Sequence, residues 1–112
     1  YHRDKQWTRA KSFDTFGPIG PVVVPAGDIG DVQDLDIACR LNGETVQSSN
    51  TRHMIFSVAQ TVRFISRNFT LYPGDVVLTG TPAGVGPIEP GDVVEVEIAR
   101  IGVLRNPVVD AP

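Results

Sequence analysis

The sequence predicts a single α+β domain in which β-structure dominates. Three observations carry this prediction. Two Pro-Gly-Asp turns seventeen positions apart each launch a valine-rich run, an alternating segment closes on Asn42-Gly43, and one stretch repeats its apolar residues at helical spacing. With 112 residues and 41% hydrophobic content the chain has material for one ordinary core and not for two.

The elements follow in order. Residues 1–6 form a polar stretch with no initiator methionine and no element of its own, so the chain is expected to begin inside a larger protein. A short β-branched run lies between Pro21 and Pro25. Leu35, Ile37, Cys39 and Leu41 then alternate with polar or small residues up to Asn42-Gly43, a strand entering a tight hairpin that residues 44–47 return from. Met54, Val58, Val62, Ile65 and Phe69 recur at steps of four, four, three and four, which puts them on the core-facing side of a helix capped by Ser49 or Asn50. "YPGDVVLTG" is echoed by "EPGDVVEVE", and the two launched runs are expected to pair as strands on either side of a glycine loop. Asn106-Pro107 closes the last hairpin-like stretch. At least five strands and one helix result, with no linker and no low-complexity segment.

Charge and composition narrow the partners. A net charge of −3, with Lys and Arg spread through the chain, leaves no basic stripe for nucleic acid. No apolar run approaches the roughly 18 residues of a membrane span, and no signal peptide is visible, so a membrane partner is not expected. The single cysteine, Cys39, excludes an internal disulfide framework and suits a reducing, cytoplasmic setting.

Residues 78–86, "LTGTPAGVG", carry three glycines and two threonines without a charge. Glycine lets backbone N–H groups approach an anion, and threonine hydroxyls add donors, so the loop suits a carboxylate or phosphate. On local composition alone, a plain glycine-proline loop between strands is the favoured reading. The missing Gly-Lys-Ser/Thr ending argues against a nucleotide P-loop. Glu95 and Glu97 share one side of a strand at a spacing a divalent cation could use. Val94, Val96 and Ile98 fill the other side, however, and a solvated strand face gives the same pattern. His2 and His53 lack a ligand-spaced neighbour and read as surface residues, while Asp75 and Asp92 read as turn residues bonding their own backbone. Lys11 lies close to Trp7, Phe13 and Phe16. Its ammonium either stabilises an enolate or oxyanion beside an apolar wall or snorkels from a surface aromatic cluster.

Three stretches, "QWTRAKSFDTFGPIGP", "SSNTRHMIFSV" and "LYPGDVVLTGTPAGVG", followed by "PGDVVEVEIARIGVLRNPV", together resemble the C-terminal half of the catalytic domain of the fumarylacetoacetate hydrolase family. The resemblance implies a mixed β-sandwich or roll with one amphipathic helix. It implies action on a diketo or 2-oxo acid by C–C hydrolysis, decarboxylation or keto–enol isomerisation, as in an acylpyruvate-type or fumarylacetoacetate-type hydrolase or a 2-hydroxyhepta-2,4-diene-1,7-dioate isomerase of aromatic catabolism. It also implies Mg2+ or Mn2+ and a homodimer. By the same resemblance Lys11 matches the catalytic lysine of an Arg-Ala-Lys-Ser/Gly-Phe motif, and Thr81 with Gly80 matches the substrate-binding turn. The family's metal ligands, a Glu-x-Glu pair and an aspartate, lie upstream of the lysine motif, so no metal role passes to Glu95 or Glu97. Residues 1–112 are thus expected to be the C-terminal part of one catalytic domain whose metal-binding N-terminal part is absent from this chain. The alternative is a non-catalytic small-acid-binding module or an inactive remnant of the same fold.

Overall fold

A computed structural model describes residues 5–110. Its centre is one four-stranded antiparallel sheet in the order β2-β1-β3-β4, built from β1 (Asp36–Leu41), β2 (Glu44–Asn50), β3 (Val93–Ile98) and β4 (Gly102–Pro107). Two one-turn helices, α1 (Trp7–Ala10) and α2 (Ala26–Ile29), precede the sheet, and α3 (Val58–Asn68) follows β2 after a 3-10 turn at Thr51–His53.

The β1–β2 hairpin forms where Asn-Gly places it. Asn42 and Gly43 have φ of 53° and 86°, the pair of positive values that matches the twist of the flanking strands. Asn42 then pins this turn to β3: its Nδ2 donates to Asp92 Oδ1 at 2.8 Å, its Oδ1 accepts from Val93 N at 2.8 Å, and its backbone N donates to Val93 O at 2.9 Å. The two Pro-Gly-Asp turns are twins. Asp75 Oδ2 accepts from Tyr72 N at 2.7 Å and Asp92 Oδ2 from Glu89 N at 2.8 Å, with Gly74 and Gly91 at φ 97° and 98°. Proline followed by glycine is what this turn type demands, and both aspartates bond their own turn as the sequence predicts.

Only the second twin opens a strand, so the sheet has four strands rather than five. Residues 76–78 run extended, yet no strand pairs with them among the described residues, and Leu78 is 74% exposed. Without a ladder partner an extended run of valines gains no inter-strand hydrogen bonds. The run between Pro21 and Pro25 likewise forms no strand.

The helix starts later than expected. Its N-cap is Ser57, whose Oγ accepts from Gln60 N at 3.2 Å while Gln60 Oε1 accepts from Ser57 N at 2.8 Å, a complete capping box. Asn50 caps the 3-10 turn instead, accepting from Arg52 N at 2.9 Å, and Ser49 caps nothing. Met54 and Phe69 therefore fall outside α3. On the helix's apolar face Val58 and Ile65 are half-buried, whereas Val62 stays 43% exposed.

Fully covered apolar residues are few: Ile29 and Leu35 are buried, joined by the polar Asn50. The accessible surface is 9234 Å2, against about 6,000 Å2 for a self-contained chain of this size. The radius of gyration is 15.3 Å, where compact packing gives about 13 Å. The chain thus leaves more surface open than compact packing of this length would, and many large apolar side chains, Trp7, Phe64 and Leu78 among them, are exposed.

Candidate functional site

The chain has an open cleft of about 580 Å3. Ile37 of β1, the end of β2, the 3-10 turn and residues 79–83 of the glycine loop contribute to its lining. Met54, Ile55 and Phe56 supply apolar surface at the rim, where Ile55 is 92% exposed. A second hollow of about 220 Å3 adds Cys39, Gln47 and Val96 and shares Gly80, Thr81 and Pro82 with the first, so the loop borders both.

The polar groups in this region are mostly committed to structure. Asn50 Nδ2 donates to Asp34 Oδ1 at 3.0 Å and to Asp36 Oδ1 at 2.8 Å. Thr51 Oγ1 accepts from Leu35 N at 2.9 Å and donates to Val32 O at 3.0 Å. These bonds bind the end of β2 to the segment before β1 and satisfy groups that are costly to leave unpaired. His53 is exposed, with Nδ1 3.4 Å from Ser49 Oγ, and stands in the cleft lining; His2 lies outside the described residues.

The glycine loop is held from β2. Gln47 Nε2 donates to Thr81 Oγ1 at 2.8 Å and to Pro82 O at 2.8 Å, with Ala83 O at 3.4 Å. A register shift permits this reach: Arg40 pairs with Thr45 and Cys39 with Gln47, so Val46 is an extra residue, a β-bulge. Gly84, at φ 106°, passes directly against the Val46 carbonyl; a Cβ there would collide with that oxygen and lie 3.0 Å from Gln47 Cγ. Gly80 differs. Its φ is 99°, but nothing lies within 4 Å of a Cβ position, so the backbone angle alone calls for glycine.

Of the sequence-predicted site residues, Gly80 and Thr81 meet in the cleft wall, and Lys11 is not among the cleft-lining residues. Lys11 follows α1, exposed, with Nζ 5.2 Å from the centroid of the Trp7 ring. The separation of four places both residues on one helix face and makes this cation–π contact. Phe13 and Phe16 pack edge to face nearby in sequence, with centroids 5.6 Å apart. Glu95 and Glu97 each face an arginine on a neighbouring strand: Glu95 Oε1 lies 3.3 Å from Arg105 Nε, and Glu97 accepts from Arg40. Gln47 was not visible from sequence. Its partners lie 34 to 36 positions away, and a bulge has no local signature of the kind Asn-Gly or Pro-Gly-Asp provides.

Comparison with known proteins gives the family and the fold. The model of a family described as fumarylacetoacetate (FAA) hydrolase, C-terminal, matches residues 1–109, and the chain belongs to that family. It is 46% identical over 112 residues to a mitochondrial oxaloacetate tautomerase of Bos taurus, an alignment covering 94% of this chain and 36% of that protein. Among solved structures it resembles a 2-hydroxyhepta-2,4-diene-1,7-dioate isomerase from Mycobacterium marinum, at 52% identity and a TM-score of 0.88 over 93% of this chain and 40% of the other. It also resembles a maleylpyruvate hydrolase from Sphingobium in complex with manganese(II) and pyruvate, at 34% identity and a TM-score of 0.89 over 94% and 40% of the two chains. The chain thus spans less than half the length of the curated relatives it matches. The mainly β fold with few helices is the one these structures share.

Proposed function

We propose that this chain is the C-terminal part of a catalytic domain that acts on a diketo or 2-oxo acid by C–C hydrolysis, decarboxylation or keto–enol isomerisation. The observation that carries the reading is the cleft wall, where Gly80 and Thr81 of the glycine loop line a hollow large enough for a small acid. Thr81 and Gly80 hold the carboxylate or carbonyl end. Lys11 stabilises the negative charge that develops on the oxygen of an enolate-like transition state, a role in which a fixed positive charge acts strongly once water is excluded.

That exclusion needs cover which the described residues do not provide. The surface beyond what a chain of this size leaves open, the unpaired extended residues 76–78 and the exposed setting of Lys11 all support a preceding segment of the same domain that packs here. The same segment is the source we assign for ligands to Mg2+ or Mn2+. Among the described residues no three His, Cys, Asp or Glu side chains gather to hold an ion, and Glu95 and Glu97 are engaged by arginines, so the residues present do not fit a divalent site. A homodimer and a cytoplasmic location complete the proposal; among the described residues no helix is long and apolar enough to cross a membrane.

The test is to produce the protein with its preceding segment and assay oxaloacetate, acylpyruvates and a hydroxymuconate-type dienoate with Mg2+ or Mn2+. Turnover of at least one, lost on chelation and regained with metal, is expected, together with a dimer by sedimentation. Pyruvate binding without turnover of any of these would instead identify a small-acid-binding module.

A further inference from the structure

We infer that Gln47 is a positioning residue which aims the Thr81 hydroxyl at the substrate carboxylate, an inference that rests on the substrate-binding reading of Thr81. The orientation of its carboxamide is settled by chemistry. Pro82 O and Ala83 O are carbonyls and accept only, so the end of Gln47 that faces them is the NH2 group. The same nitrogen lies 2.8 Å from Thr81 Oγ1 and donates to it.

A hydroxyl has one proton and two lone pairs. With one lone pair taken by Gln47, the Thr81 proton is turned away from β2 and remains available to an acceptor on the cleft side. A rotor that would otherwise sample three orientations is thereby biased toward the one that donates to an anion. The bulge at Val46 and the missing side chain at Gly84 serve this arrangement, because they let the loop come close enough for Gln47 to span three successive residues. Gln47 itself borders the smaller hollow, which Thr81 also lines, and is not among the residues that line the main cleft.

Glutamate is the informative replacement. Gln47→Glu keeps the shape but reverses the polarity: a carboxylate accepts, so the Thr81 hydroxyl swings back to donate to it, and two carbonyls lose their donor. Gln47→Met keeps the length and removes the hydrogen bonds. In the protein carrying its preceding segment, KM for the best 2-oxo acid should rise roughly tenfold or more in Gln47→Glu, the scale of one hydrogen bond to a charged group. The rise should be smaller in Gln47→Met, and kcat should stay within about threefold in both. In a Thr81→Val background Gln47→Glu should add less than about twofold, because the hydroxyl it acts through is gone. Pyruvate affinity in the presence of Mn2+ should follow the same ratios.

An unchanged KM in Gln47→Glu would overturn the inference, and so would an undiminished effect in the Thr81→Val background, which marks a clamp that only holds the loop. Should Gln47→Glu fail to fold, the comparison of Gln47→Met with and without Thr81→Val carries the same decision. Wild-type protein that neither turns over nor binds any of these acids would remove the substrate-binding reading itself, and the inference with it.

Discussion

Substituting Gly84 by alanine tests how the loop is held. The new Cβ meets the Val46 carbonyl head-on and lies 3.0 Å from Gln47 Cγ and 3.2 Å from the Val46 carbonyl carbon. Ordinary carbon contacts need about 3.5–4.0 Å, so the loop must retreat by roughly an ångström. That retreat takes the 2.8 Å bonds from Gln47 to Thr81 Oγ1 and Pro82 O beyond hydrogen-bond range. Two lost bonds at about 0.5–1.5 kcal/mol each, with about 1–3 kcal/mol for a side chain at φ 106°, give a destabilisation of about 2–6 kcal/mol. Gly80→Ala is the control, since it brings the backbone strain alone, about 1–3 kcal/mol, with open space around its Cβ. Thermal and urea unfolding of both variants, with amide spectra of Thr81 and Ala83, give the comparison. Gly84→Ala should be the worse by about 1–3 kcal/mol, with shifts spread across the loop. Equal losses in the two variants would show that the close approach to Val46 does not fix the loop, and the reasoning would fail.

Three further outcomes are expected. Lys11→Met in the protein with its preceding segment should slow the chemical step roughly 100-fold or more while melting temperature changes little; an unchanged rate would return Lys11 to the surface cluster with Trp7. Hydrogen bonds from Asn42 and from the Glu89 N–H hold the Asp92 carboxyl below its ordinary value, so its contribution to stability is present above the unfolded value of 3.8 and is lost as pH falls through the folded one. Asn42→Gly keeps the turn angle and removes the donor, and a carboxyl-resolved titration should then show the Asp92 midpoint move up, whereas an unmoved midpoint would deny the bond. Burial pushes the Cys39 thiol up from 9.0, so the stability it lends is complete below that value and is lost as pH rises through the folded one. Its alkylation near pH 8 should run slower than that of a small thiol, and equal rates would refute the shift.

Legibility followed range. The Asn42-Gly43 hairpin and the two Pro-Gly-Asp turns were readable because each is decided within four residues, by glycine's backbone freedom and an aspartate that reaches its own turn. Residues 76–78 escape local reading for the opposite reason, since a strand exists only with a partner, and among the described residues nearly the same valine run pairs after Asp92 but not after Asp75. The helix start is written in the sequence, since Ser57-x-x-Gln60 is a capping box, whereas the apolar steps from Met54 to Phe69 run past both ends of α3. Thr81 and Gly80 came from family resemblance, since the loop's own composition favoured a plain glycine-proline turn over a carboxylate wall. Gln47 depended on a bulge and on a loop more than thirty residues away.

The extra residue at Val46 also bears on how this strand tolerates changes in length. Removing one residue from a paired strand ordinarily turns every later side chain to the opposite face. At a bulge the ladder already counts two residues against one, as between Thr45 and Gln47 opposite Arg40 and Cys39. Loss of Val46 would therefore restore an even ladder and leave the faces of Gln47, Ser49 and Asn50 where they are. What is surrendered is the Val46 carbonyl that Gly84 passes against and, with the bulge, the reach of Gln47 to the loop. Position 46 is thus a hinge in sequence space, where the strand can shorten without being rewritten while its grip on the neighbouring loop cannot survive the same cut.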